Sequence, residues 1–472
     1  IIFESQSTIN EDQGPLAHPV RPESFQEINN FYTATVYEKG AELIRMLKTL
    51  VGDAVYSAAL DLYFERHDGQ ACTIEDWIAV FEQASGRDLQ QFKRWYGQAG
   101  TPQVKVEEAF EAGTYTLTLT QDTPPSKATP APEPLSIPVA VGLLSQSGDE
   151  VVPTQILELT EPSQSFSFTG LSEKPVASIL RGFSAPVVLD HTPDYAVLLA
   201  HDTDPFNRWE AGRALAHASL LSTIRDGAAP DAAWLDGMRR VVCDDTLDPA
   251  YRALMVALPG QSELAAALHK AGDVPDPDAI YAAMTGMKSA LAQHMEDVLP
   301  GIYAAHQVQL DYVPDAEQSG KRALGNTALD LISRLDHGAL AQKQYDGATN
   351  MTQQLAALAS LIRSGNGDAA LAQFETQWRD DRLVMDKWFS LQVMQAKPDD
   401  AADTAHTLLA DWLIRLDPVN PQTTARMCSA FQTWRRYDQI RQQLIGAQLE
   451  RIATTPNLSR DTTEMISRIR EA

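Results

Sequence analysis

Tyr37 heads the short list of side chains here whose type and setting suit chemistry. It lies in Tyr37-Glu38-Lys39-Gly40, just ahead of Leu43, Ile44, Leu47, Leu50 and Val51, an apolar stripe with helical spacing. Thr35 and Glu38 have capping-box spacing, which predicts a helix start with Tyr37 in its first turn, where a side chain can point into a cleft. A phenol so placed stays protonated at neutral pH and holds its O–H donor rigidly. Aimed at a carbonyl oxygen under attack, it stabilises the developing oxyanion, and losing such a donor typically costs about 10²–10³ in rate. On spacing alone, a tyrosine that opens an amphipathic helix is ordinarily a packing residue. Glu38 is expected to serve the helix cap.

The other reactive residue types assemble no site in the sequence. No two of the ten histidines lie four apart, so no helix face carries a pair of imidazoles for a metal, and H-E-x-x-H is absent. His67 and His294 have no second histidine nearby and read as surface or hydrogen-bonded core residues. Cys72, Cys243 and Cys428 are odd in number and far apart, which suits a reducing compartment and offers no metal clip. Dispersed serines, cysteines and histidines carry no nucleophile geometry. There is no Gly-rich phosphate loop.

Three regimes must position these side chains. Residues 1–102 read as helices. Thr73 and Asp76 give a second start signal, Trp77, Phe81 and Ala84 one face, and Gly86 the stop. A further helix carries Leu89, Phe92, Trp95 and Tyr96. From 103 to 191 the period becomes two: Tyr115, Leu117 and Leu119 alternate with threonines, and Phe166 and Phe168 with serines. Ile137, Val139 and Val141 form another run. Proline-rich turns separate these strands, which predicts an antiparallel, Ig-like β-sandwich. Residues 192–472 are rich in alanine and leucine in helix-length segments, among them 210–221, 281–295, 323–335 and 351–362. They predict an α-solenoid without a strict sequence period.

The bulk numbers exclude some classes. The chain has 472 residues, enough for two to four domains. Its 63 acidic and 38 basic residues give a net charge of −25, which argues against a nucleic-acid groove. No apolar run approaches the roughly 18 residues that span a bilayer. The chain opens Ile-Ile-Phe-Glu, as expected for a sequence that starts within a longer product.

The stretch 29–47 as a whole resembles the segment of the aminopeptidase N family, zinc metallopeptidases of the gluzincin class, that carries the transition-state tyrosine. Ala17-His18-Pro19-Val20-Arg21-Pro22, residues 62–69 and Arg94-Trp95-Tyr96 are similar to the C-terminal half of that family's thermolysin-like catalytic domain. Phe183-Ser184-Ala185-Pro186-Val187, Asn350-Met351-Thr352 and residues 383–388 are similar to its later domains. The resemblance implies that Tyr37 is the oxyanion donor, that Tyr32 walls the pocket for the substrate's N-terminal side chain, and that Asn29 contacts the peptide beyond the scissile bond. It implies that Arg426 reaches towards the substrate's C-terminal side, where a guanidinium pairs well with a carboxylate. A surface arginine is the plain alternative. It implies Zn²⁺ as cofactor of the complete enzyme, peptide substrates with N-terminal Ala, Lys or Arg, and a cytoplasmic location without membrane or nucleic-acid partners.

Two departures from the family pattern stand out. The H-E-x-x-H, the third zinc ligand and the loop that binds the free amino group would all precede residue 1. The chain is therefore expected to be inactive alone and to need the missing N-terminal half as partner. Around 409–413 the text passes directly between helices that family members separate by roughly forty residues. The alternative reading is a non-catalytic α-solenoid that binds peptides or a partner protein.

Overall fold

The computed structural model describes residues 17–22, 33–126, 128–308, 311–395 and 405–471. The chain forms two compact units, Ile1–Gly212 and Arg213–Ala472.

The first unit opens with helices. A π-helical turn, Thr35–Lys39, runs straight into α1 (Gly40–Val51), followed by α2 (Asp53–His67), α3 (Ile74–Ser85) and α4 (Gln90–Gly97). The Thr73 and Asp76 signal works as read: each side chain takes the other's backbone N–H, and Gly86 ends α3 in the left-handed conformation. The reading at Thr35 and Glu38 is corrected. Thr35 is fully buried, no side chain caps the turn at Ala34, and the chain is already helical there. The cap is Thr33, whose Oγ1 accepts from Val36 N at 3.2 Å. Residues that pack inward cannot also cap, so the helix begins two residues earlier than the spacing suggests.

Seven strands follow: β1 (Gln103–Glu111), β2 (Thr114–Asp122), β3 (Ile137–Leu144), β4 (Glu150–Leu159), β5 (Ser163–Thr169), β6 (Val176–Ile179) and β7 (Val188–Asp190). They make two sheets, ordered β5-β2-β1-β7 and β4-β3-β6. The pairings are antiparallel except β1 with β7, which run parallel. Tyr115, Leu117 and Leu119 are fully buried while the threonines between them are not, as period two requires. β3 is buried on both faces, because the helices as well as the other sheet cover it. β1 and β2 are joined by Ala112 and Gly113, both with positive φ, as in a two-residue hairpin whose twist matches its strands.

One hydrophobic core runs through this unit. Leu43, Leu47, Phe81, Phe92 and Trp95 of the helices join Val104, Tyr115, Val139 and Leu159 of the strands in it. The junction is also polar: Trp95 Nε1 donates to Ser136 O at 2.8 Å, Arg94 to Pro134 O at 2.7 Å and Gln91 to Thr160 O at 2.7 Å.

The second unit is helical. The periodic segments read from sequence fall in Pro205–Asp226, Pro277–His294, Ala316–Ser333 and Met351–Arg363, the first of which crosses the unit boundary. Its helices are repeatedly opened by an Asp or Asn cap, as at Asp231, Asp248, Asp276, Asp315, Asn350 and Asn420. Buried amides and phenols tie neighbours together: Gln344 donates to Gln353 O at 3.0 Å and Tyr345 to Ala370 O at 2.9 Å. Separate apolar clusters around Leu329, Leu358 and Phe374, and around Leu413, Phe431 and Leu449, fit local stacking of helical pairs.

Candidate active site around Tyr37

Tyr37 stands out from its helix as an exposed aromatic, 59 % accessible, between neighbours that are sunk into the unit. Thr35 and Lys39, two residues to either side, are buried. The Lys39 ammonium donates to Gly100 O at 3.1 Å and lies 5.9 Å from the Trp95 ring centre. A buried cation is tolerable only with such partners, so Lys39 pins the π turn to the start of the sandwich. π turns are rare and recur at functional sites.

Further contacts hold the segments on either side of the turn. His18 Nδ1–H donates to Pro19 O at 2.8 Å, which leaves Nε2 to accept the Thr33 hydroxyl at 3.0 Å, and Thr33 in turn caps the helix. Arg21 N donates to Tyr96 O at 2.9 Å and its guanidinium pairs with Glu75 at 2.7 Å. With Lys93 also at 3.0 Å, Arg21 holds the Glu75 carboxyl well down, to about 2. One turn along α1, Arg45 pairs with buried Glu42 and donates to Gly182 O at 2.5 Å and to Phe183 O.

The turn that Arg45 grips is itself held hard. Leu180, Gly182 and Phe183 all have positive φ. Arg181 is buried and reaches Glu150 at 2.6 Å, Asp202 at 3.0 Å and Ser178 Oγ at 2.9 Å. Gly142 faces that guanidinium so closely that a Cβ there would lie 2.2 Å from it. Burial pushes the Asp202 carboxyl up, against the pull of Ser178 and Arg181. Tyr37 thus sits on a helix clamped at its head by Thr33 and Lys39 and along its flank by Arg45.

Asn29 and Tyr32 lie outside the described residues. Arg426 is exposed near the end of the helix Pro421–Met427, in the second unit. Glu38 does not cap: its Oε2 is buried without a hydrogen-bond partner among the described residues. Sequence reasoning missed His18, Thr33 and Arg45 as supports of the turn. Only His18 had a signal, its place in Ala17-His18-Pro19. Among the described residues no group of three or more His, Cys, Asp or Glu could hold a metal ion, so this donor set does not fit the zinc that the resemblance implies.

Comparison with known proteins bears on what the site belongs to. Residues 2–96 match the peptidase family M1 domain, 100–192 an Ig-like domain of unknown function (DUF3458), and 192–408 with 399–471 a domain of unknown function with ARM repeats (DUF3458_C). Aminopeptidase N of Caulobacter vibrioides is 39 % identical over 97 % of this chain, and those of Haemophilus influenzae and Escherichia coli are 33 % and 34 % identical over the same share. The chain belongs to the DUF3458_C family and is homologous to bacterial aminopeptidase N. It spans 58–59 % of the length of these three relatives. The crystal structure of Legionella pneumophila aminopeptidase A in complex with aspartic acid shares the fold, with a TM-score of 0.80 at 23 % identity over all of this chain and 62 % of that one. The match to the ARM-repeat domain falls into two pieces that overlap at residues 399–408. Among the described residues no helix is long and apolar enough to cross a membrane.

Proposed function

We propose that this chain is the part of a metalloaminopeptidase that presents the oxyanion donor, Tyr37, to a peptide bond whose metal and nucleophile are supplied by the portion of the enzyme outside it. The substrates are peptides, cleaved after the N-terminal residue. As the carbonyl oxygen gains charge, the Tyr37 O–H donates to it, and a donor fixed beforehand needs no reorganisation at that moment. Tyr32 and Asn29 share the substrate contacts with it, and the Arg426 guanidinium suits the substrate's C-terminal carboxylate. In aminopeptidase N homologues the cofactor is Zn²⁺, and the residues that would hold it belong to the portion of the enzyme outside this chain.

The observation that carries this reading is the exposure of Tyr37 on a turn whose neighbours are buried and bonded. A packing tyrosine would be covered, and a merely solvent-facing one would not need Lys39, Thr33 and Arg45 to hold its backbone. The test is to combine this chain with the portion of the Caulobacter vibrioides relative that it does not cover, and to follow hydrolysis of alanyl p-nitroanilide. Turnover should appear, and Tyr37→Phe should lower kcat by about 10²–10³ with KM little changed. A Tyr37→Phe protein within twofold of the parent would sink the assignment.

A further inference from the structure

The apolar core of the second unit is interrupted between two helices that follow each other in sequence. Arg382–Gln395 packs Val384, Trp388 and Leu391 with a cluster built around Leu358 and Phe374. Ala405–Leu416 packs Ala410 and Leu413 with a different cluster, built around Phe431 and Leu449. In stacked helical repeats each layer shares its core with the next, yet the buried side chains of these two helices fall in separate clusters. Each helix also leaves apolar side chains open to solvent. Leu383, Phe389, Val393 and Met394 of the first and Leu408 and Trp412 of the second are 54–78 % accessible.

Single apolar side chains scattered on a surface need no explanation, but six on the two helices that flank one break do. The match to the ARM-repeat domain breaks at the same place: one piece ends at residue 408 and the other starts at 399. An overlap of that kind arises where the family pattern holds residues that the chain skips. The three aminopeptidase N alignments run over 510–519 positions but take in 97 % of this chain, about 458 residues. Each relative therefore carries about 50–60 residues that have no counterpart here, enough for one helical pair, the repeating unit of such a solenoid.

We propose that the open sides of these two helices are the seat of an amphipathic helical pair, of the kind the relatives carry within their own chain, bound here from a separate polypeptide. The seat dictates the partner's chemistry. It needs apolar side chains at helical spacing, one stripe for Leu383, Phe389, Val393 and Met394 and another for Leu408 and Trp412. Taking those side chains out of water drives the association. The rim is polar and carries both signs: Arg382, Asp386 and Lys387 are exposed on the first helix, and Arg415 stands 5.9 Å from the Trp412 ring on the second. A second copy of this chain fits less well, because two molecules of net charge −25 repel each other. The seat lies wholly in the second unit and does not depend on the role of Tyr37.

The probe is the segment of Caulobacter vibrioides aminopeptidase N that falls opposite residues 399–408 without a counterpart here, fused to a soluble carrier, with the carrier alone as control. Calorimetric titration of the full chain should give saturable one-to-one binding in the micromolar range, as expected when a segment orders on its partner. Phe389→Asp and Trp412→Ser change exposed side chains, so the fold loses little, and each should weaken binding about 10-fold. Val274→Asp, at an exposed position much earlier in the same unit, should leave it unchanged. Absence of saturable binding above the carrier control would overturn the proposal, and so would binding that Phe389→Asp and Trp412→Ser both leave unchanged. A dimer of this chain that both variants dissolve would overturn it as well, by making a second copy the occupant.

Discussion

A phenol stabilises an oxyanion only if its oxygen is where the charge will appear, so the residues that hold Tyr37 matter as much as Tyr37 itself. Lys39 and Arg45 both hold its helix, one through Gly100 O and the other through Gly182 O. Other titratable side chains in the first unit do structural work. Glu108 accepts from His191 at 2.8 Å and pairs with Lys174 at 2.7 Å, and the His191 hydrogen bond, more than Lys174, draws its carboxyl from 4.5 down to about 2. A carboxyl depressed on folding adds stability that is complete above the unfolded value of 4.5 and lost as pH falls from there to about 2. Glu108→Gln should therefore lower Tm at pH 7 and bring the mutant and parent Tm values together between pH 4.5 and 2. Thermal melts across that range check it. A constant Tm difference down to pH 2 would mean that the pair carries no linked proton.

At the scale of elements, α4 is the joint between helices and sandwich. Trp95 is completely buried, and its indole N–H reaches Ser136 O. Trp95→Ala should cost about 3–5 kcal/mol, from lost apolar burial and a cavity beside β3, and leave Ser136 O without its donor. Urea unfolding of the parent and the variant measures it. A loss below about 1 kcal/mol would show that α4 docks through Arg94 and Gln91 instead. Much of this level was legible in the sequence, because it is written in local spacing. The Thr73 box, the Gly86 stop, the period-two runs and the helices of the second unit all lie within a few residues of their signals. What was illegible depends on distant partners. Thr33 outdoes Thr35 as the cap because Thr35 packs into the core, and the Thr33 hydroxyl donates to His18, 15 residues away. The parallel β1/β7 pair was missed because a three-residue strand has too little alternation to show its direction.

The whole chain combines an M1 peptidase segment, an Ig-like sandwich and a helical-repeat domain, and covers under three-fifths of the aminopeptidase N relatives it matches. Its net charge of −25 would draw cationic peptides at long range and repel polyanions, an effect that salt weakens. The proposed division of labour puts Tyr37 in this chain and the metal site outside it. The most direct test is zinc content measured together with alanyl p-nitroanilide hydrolysis on the chain as purified. The account predicts no bound zinc and no turnover. Stoichiometric zinc, with turnover that Tyr37→Phe abolishes, would contradict it by revealing a metal site within these 472 residues.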